Sequence, residues 1–286
     1  MASLRDIKRR IRSVKNTQQI TRAMKLVSAA KMRKSQEAII TARPYALKMI
    51  DVMSSLSCRV ETTAHPLLSR REEKNVMIIV ITSDKGLCGG FNGNIIRKTL
   101  RLMEEKRNCT ISLIVVGKKG RDYFRAKKHT IAKEYIDLLR AFSYQKASLI
   151  VKDVIDAYTS EQVDSIYTIY NEFKSVIQQR IVTETLLPIS PLQCKIGEEP
   201  VDYLYEPSAA LILDEILNKY VGVEVYRMLL ESIASEHGAR MTAMDSATRN
   251  ASEMIGKLVL NYNRVRQTAI TKEIIEVVGG AEAQRV

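Results

Sequence analysis

The sequence predicts an α/β fold: a long antiparallel two-helix coiled coil, drawn from both chain ends, plus a central Rossmann-like α/β domain. Three observations carry that expectation. Apolar residues recur at alternating three- and four-residue spacing near each end, the seam of a two-stranded coiled coil. The middle holds β-branched runs alternating with helical stretches, which argues a mainly parallel sheet covered on both faces. Helix breakers are confined: glycine is missing from the first 85 residues, and no proline follows Pro207.

The first element is a helix from Ser3 to Ser57, rich in Lys, Arg, Ala, Gln and Met, with a bend expected near Pro44. Leu4, Ile7, Ile11 and Val14 form its seam; Gln18 and Thr21 continue it as polar positions, and Met24 and Val27 then resume an apolar line slightly out of register. At 1.5 Å per residue this helix would be roughly 80 Å long. Strands follow at Asn75–Ser83 and Cys109–Val116, with a glycine-rich loop and a helix at 94–106 between them. A short helix at 118–127, the stretch 130–138, a helix at 144–158 and two strands at 163–173 and 175–189 complete the central domain. The expected boundaries are 1–57 for the first helix, 75–190 for the α/β domain and 208–286 for the last helix. In that last helix, positions 237, 241, 244, 248, 251, 255, 258, 262, 265 and 269 keep a 4-3 alternation. A helix from 208 to about 278 would run roughly 105 Å, so its end should outreach its partner by roughly 20 Å. That end carries Ile270, Ile274, Ile275, Val277 and Val278, an apolar surface that needs a socket.

Composition narrows the function classes. The chain is 45% hydrophobic and 27% charged, and its longest apolar run, Val76 to Ile81, is far short of the roughly 20 residues a membrane helix needs. The N-terminus has no apolar signal segment, and the helical repeat running through it reads as mature structure. Four cysteines (Cys58, Cys88, Cys109, Cys194) stand apart without a C-x-x-C pair, which points to free thiols; three scattered histidines give metal catalysis no support. Of the net +13, the first 43 residues supply +10, so the basicity belongs to one terminal helix whose partner should carry acidic or phosphate groups.

The loop Gly86-Leu-Cys-Gly-Gly-Phe-Asn-Gly93 sits between strand and helix, where a phosphate site would lie, yet it lacks both G-K-[ST] and G-x-G-x-x-G. It reads as a structural turn, with no nucleotide or other cofactor. A basic helix also suits nucleic acid, but here the charges share the helix with an apolar seam and no aromatics interleave. A basic coiled-coil nucleic-acid binder or a static scaffold is the alternative. An enzyme reading fails for want of a nucleophile, base and orienter together.

Three stretches resemble the γ subunit of F-type ATP synthases, in its bacterial form: LRDIKRRIRSVKNTQQITRAMKLVSAAKM (4–32), TSDKGLCGGFNGN (82–94), and ARMTAMDSATRNAS (239–252) with ITKEIIEVVGGAEA (270–283). The resemblance implies a non-catalytic rotor shaft inside a ring of three α and three β subunits. It implies an ε subunit beside the globular domain, a c-subunit ring below, no nucleic acid, and a peripheral place on the cytoplasmic face of the cell membrane. It places Met24 near Arg240, Gln267 and an acidic loop of the catalytic subunits, and Tyr203, Tyr205 and Glu206 on the c ring. The partner-binding candidates are these with Arg9, Arg10, Lys15, Lys25, Thr271 and Glu273.

Overall fold

The apolar run that begins at Val76 becomes β1 (Asn75–Ile81), the middle strand of a five-stranded sheet. The computed structural model describes residues 3–57, 65–175, 179–189 and 209–283. Along the chain, α1 (Leu4–Ser57) precedes β1, and then come α2 (Phe91–Glu105), β2 (Thr110–Val116), α3 (Lys118–Ala126) and β3 (Ile131–Tyr135). After a short 3-10 turn at Leu138–Ala141 follow α4 (Tyr144–Thr159), β4 (Ser165–Phe173), β5 (Gln179–Leu187) and α5 (Ala209–Ala283). The spatial order is β3-β2-β1-β4-β5; every neighbouring pair is parallel except the antiparallel hairpin β4–β5.

The chain divides into two units, one made of Ala29–Arg240 and the other of the residues up to Ser28 with those from Met241 onward. In the first unit the sheet is buried on both faces, as a β-branched, non-alternating strand requires. Met77, Ile79 and Ile81 join Ile150 and Val154 of α4, Leu217, Val221 and Leu229 of α5, and Met49 and Met53 of α1. Val76, Ile78 and Val80 point the other way, to Phe91 and Ile95 of α2 and Phe124 of α3. Each such side chain removed from water contributes about 1.5–3 kcal/mol before entropy is counted. Gly117 closes β2 against β1. Its φ is +92°, and a Cβ there would lie 2.2 Å from the Thr82 carbonyl oxygen.

In the second unit the chain ends pair antiparallel: Thr21 meets Thr248, and Lys25 meets Asp245. Ile7, Thr21 and Ser28 are buried on α1, Met244 and Ala251 on α5. Two details correct the sequence reading. The seam after Thr21 passes through Ser28, 2% exposed, and leaves Val27 56% exposed. The 3-4 step from Thr21 reaches 24 or 25 and then 28, so Val27 falls on the outer face; the small serine lets the helices approach. The last helix also runs past the glycine pair at 279 and 280 to Ala283. Pro44 lies inside α1, which continues through it.

Candidate functional site on the chain ends and the glycine-rich loop

The α5 half of the paired ends follows its sequence pattern closely. Positions 241, 244, 248, 251, 255, 258, 262, 265 and 269 are buried or half-buried, and from Ile270 to Ala281 every residue is exposed. The reason is a length mismatch. With Thr21 opposite Thr248 and Lys25 opposite Asp245, each step down α1 is a step up α5, so Leu4 lies level with about Val265. Beyond that level α5 has no described partner from α1. Ile274, Ile275, Val277 and Val278 are therefore 57–72% exposed, a contiguous apolar surface of the kind that marks an interaction site.

Polar contacts fix the pairing. The Thr21 and Thr248 hydroxyls are 2.8 Å apart, and Lys25 Nζ lies 2.5 Å from Asp245 Oδ1. Asp245 also takes Arg249, one helical turn on. Hydrogen bonds from Lys25 and then Arg249 hold the Asp245 carboxyl below the usual carboxylate range. Arg9, Arg10 and Lys15 are exposed on α1, Met24 and Lys25 are half-buried, and Gln267, Thr271 and Glu273 are exposed on α5; the same antiparallel register sets Met24 level with about Asp245 and not beside Gln267, which corrects the expected neighbourhood of these two. Tyr203, Tyr205 and Glu206 lie outside the described residues.

Arg240 belongs to the other unit and is 7% exposed. Its Nη2 donates to the carbonyls of Lys85 (3.1 Å) and Gly86 (3.2 Å) and pairs with Glu236 Oε1 at 2.6 Å, while Nη1 donates to His237 Nδ1 at 3.2 Å. Burial raises the Glu236 carboxyl and, first among its causes, lowers the His237 imidazole to about 4, the cations of Arg240 and Lys31 adding to it. A neutral His237 with Nδ1 as acceptor fits that geometry. The glycine-rich loop is a turn, with Gly89 at φ +58°. It also contains a left-handed residue where the pattern offered none, Leu87 at φ +61°. A phosphate loop aims N–H groups at its ligand; here Lys85 and Gly86 aim carbonyls at a guanidinium.

Sequence reasoning missed the charge cluster around Arg227. Its guanidinium donates to Glu184 (3.1 Å), Glu224 (2.7 Å) and Glu231 (3.0 Å), and to the Tyr170 hydroxyl at 3.3 Å. The cluster borders a cavity of about 690 Å³ that Ala42, Leu47 and Met228 also line. Glu224, Arg227 and Glu231 have the i, i+3 and i, i+4 spacing of a helical ion network, a signal that was present in the sequence. Among the described residues no three His, Cys, Asp or Glu side chains gather as a metal site, and no helix is long and apolar enough to cross a membrane.

An antiparallel helical pair made from the two chain ends, with a parallel-rich α/β domain and an apolar tip on one helix, defines a coiled-coil subunit that works by contact. The family model described as ATP synthase matches residues 3–284. The chain is 49% identical to the ATP synthase gamma chain of Geobacter sp. (strain M21) and 50% identical to that of Trichlorobacter lovleyi, each comparison covering 99% of both chains. It thus belongs to the ATP synthase gamma chain family, whose members are non-catalytic subunits of that enzyme. A chain in the central stalk and c-ring structure of the Tetrahymena thermophila mitochondrial ATP synthase aligns with a TM-score of 0.62 at 27% identity, over 80% of this chain and 99% of that one. A chain of the Euglena gracilis mitochondrial ATP synthase shares the fold, with a TM-score of 0.70 at 22% identity over 98% and 94%.

Proposed function

We propose that this chain is the central rotor shaft of an F1Fo ATP synthase, coupling ion-driven rotation of a c ring to conformational cycling of the catalytic β subunits. The supporting observation is the uneven helical pair: α5 continues past the level of Leu4 with Ile274, Ile275, Val277 and Val278 exposed. An apolar end of that length needs housing by other polypeptides, and a ring of three α and three β subunits supplies a central bore. In this reading residues 1–57 and 208–286 are the shaft, and 75–190 stand beside an ε subunit. Tyr203, Tyr205 and Glu206 rest on the c ring, and the assembly sits at the cytoplasmic face of the cell membrane.

A ligand shifts a conformational equilibrium only by its differential affinity for the states. A lopsided shaft is such a ligand, touching each catalytic subunit differently at each angle. The exposed cations Arg9, Arg10 and Lys15, with Met24 and Lys25, suit contacts with acidic loops of the ring. Exposed ion pairs contribute only about 0–1 kcal/mol each, so none holds the shaft at one angle. Gln267, Thr271 and Glu273 face the socket of the tip. The test is a disulfide between a cysteine placed on the exposed face of the shaft and one on a catalytic subunit. Complete cross-linking should stop ATP-driven proton pumping, and reduction should restore it. Unchanged pumping in the fully cross-linked complex overturns the assignment.

A further inference from the structure

The cavity of about 690 Å³ lies between α1, α5 and the edge strand β5, and its lining divides into an apolar wall and a charged corner. α1 borders it at positions 39, 42, 43, 46 and 47, a single helical face, on which Ala42 and Ala46 leave space that longer side chains would fill. Leu186, Ile189, Val223 and Met228, all buried, form the apolar wall. The charged corner is Arg227 with its carboxylates. Glu231 Oε1 accepts from Arg227 Nη1 at 3.0 Å, whereas Oε2 is buried and accepts no hydrogen bond from any described residue. A buried carboxylate oxygen without a donor is costly, so it favours whatever brings one. The charges lining the cavity do not balance either. Glu172, Glu184, Glu224 and Glu231 face Arg43 and Arg227, and with Lys174 on Glu172 at 2.8 Å one negative charge is left over.

We propose that this cavity binds an amphipathic organic monocation, a primary amine with an apolar tail, whose ammonium donates to Glu231 Oε2 while the tail lies along the wall of Leu186, Ile189, Val223 and Met228. The inference is independent of the rotor reading. The volume falls in the range of small-molecule sites, which pair a mostly apolar lining with a few placed polar groups. Other ligand classes fit less well. An anion meets the carboxylate excess. A calcium ion needs roughly six to eight oxygen ligands, and Glu184, Glu224 and Glu231 already spend oxygens on Arg227. A neutral amphiphile brings no cation for the unbalanced charge. A polyamine would carry further charges against the apolar wall and lose their hydration there.

Isothermal titration calorimetry of the full-length chain with octylamine tests this, with octan-1-ol, butylamine and spermidine as comparison probes. Octylamine should bind with a stoichiometry near one. Octan-1-ol should bind at least about tenfold more weakly, for want of the charge-assisted hydrogen bond. Butylamine, four methylenes shorter, should bind about a hundredfold more weakly, and spermidine at least about tenfold more weakly. Two variants locate the site. Glu231→Gln keeps the shape and removes the charge, and should weaken octylamine by at least about tenfold. Ala46→Leu fills the cavity and should abolish binding; it carries the test should the glutamine variant not fold. No binding of octylamine, or equal affinity for octan-1-ol, overturns the proposal. Spermidine or butylamine binding as tightly as octylamine also overturns it, because the apolar wall would then play no part. Binding that folded Glu231→Gln leaves unchanged refutes the place given to the ammonium. Binding that survives Ala46→Leu is adsorption elsewhere on the chain, and the site is refuted.

Discussion

Thr21 and Thr248, 227 residues apart in the chain, share a hydrogen bond of 2.8 Å between their hydroxyls at a buried level of the paired helices. Each hydroxyl also has an acceptor on its own helix, the Gln18 carbonyl for Thr21 and the Met244 carbonyl for Thr248. Two protons serve three contacts, so either threonine keeps an acceptor when the other is removed. Thr21→Val or Thr248→Val alone should cost about 1 kcal/mol, and the double variant less than the sum of the two, with a coupling of about 0.5–1 kcal/mol. Denaturant midpoints of the full-length chain give the cycle, and strict additivity would mean that the hydroxyls do not interact. A polar level in an apolar seam sets register, because slipping one helix leaves both hydroxyls facing hydrocarbon.

Gly117 and Gly256 should respond oppositely to alanine. At Gly117 a Cβ would meet the Thr82 carbonyl oxygen at 2.2 Å and its carbon at 2.7 Å, with φ at +92° besides. The Thr82 carbonyl and hydroxyl sit where β1 meets β2 and α3, so neither can retreat. Gly117→Ala should destabilise the sheet by about 3 kcal/mol or more. Gly256 is helical and a Cβ there meets nothing within 4 Å. Gly256→Ala should stabilise by up to about 1 kcal/mol, the helix-propensity difference. Thermal melts of the two variants beside the parent decide it. A parent-like melting temperature for Gly117→Ala would refute the close approach.

The sheet and the paired helices were legible because each depends on a repeating pattern. The α5 seam could be read position by position, since burial there follows spacing alone. Val27 misled because apolar character was followed where position ruled, and Ser28 took the seam. The loop 86–93 was legible as a turn from its glycines, yet Leu87 supplies one of its left-handed residues, and no composition rule marks that. The role of Arg240 within the fold could not be seen either. Its partners are the backbone carbonyls of Lys85 and Gly86, and a carbonyl leaves no trace in residue type. The strand order likewise rests on which crossovers close, and local sequence does not record that.

Arg227 stabilises three carboxylates that would repel one another without it. Its Nη2 lies 2.7 Å from Glu224 and 3.1 Å from Glu184, and Nη1 3.0 Å from Glu231. Burial already raises the Glu231 carboxyl, and Glu172 and Glu184 push the same way against the pull of Arg227. With the side chain of Arg227 31% exposed, solvent screening trims the effect. Arg227→Gln should cost about 2–3 kcal/mol at pH 7, below the 3–5 kcal/mol typical of a fully buried broken pair. In the variant the Glu231 carboxyl, already raised by burial, loses the opposing pull of Arg227 and rises further above its unfolded value, so the folded state gains a proton as the medium is acidified. The deficit should therefore shrink between pH 7 and pH 5. A deficit that stayed constant over that range would show that the loss came from packing.

His237 makes acid costly to the native state. Burial, then the cations of Arg240 and Lys31, lower its folded pKa to about 4, against an ordinary value of 6.5. Between those two values the unfolded chain binds a proton that the folded chain refuses. Stability thus rises with pH through that window and is lost as pH falls from about 6.5 toward 4. Protonation would also put an N–H where Arg240 Nη1 now donates to Nδ1 at 3.2 Å, so the clash is specific. Glu236 works in the opposite direction, since burial raises its carboxyl and the folded state holds that proton to higher pH. The histidine contribution is therefore isolated by difference. His237→Asn keeps an acceptor near the position of Nδ1 and removes the titration. Between pH 7 and pH 4 the parent should lose up to about 3 kcal/mol more stability than His237→Asn, following from a shift of roughly 2.5 pKa units. Urea midpoints at half-unit pH steps give both curves, and parallel curves would mean that His237 titrates normally in the folded chain.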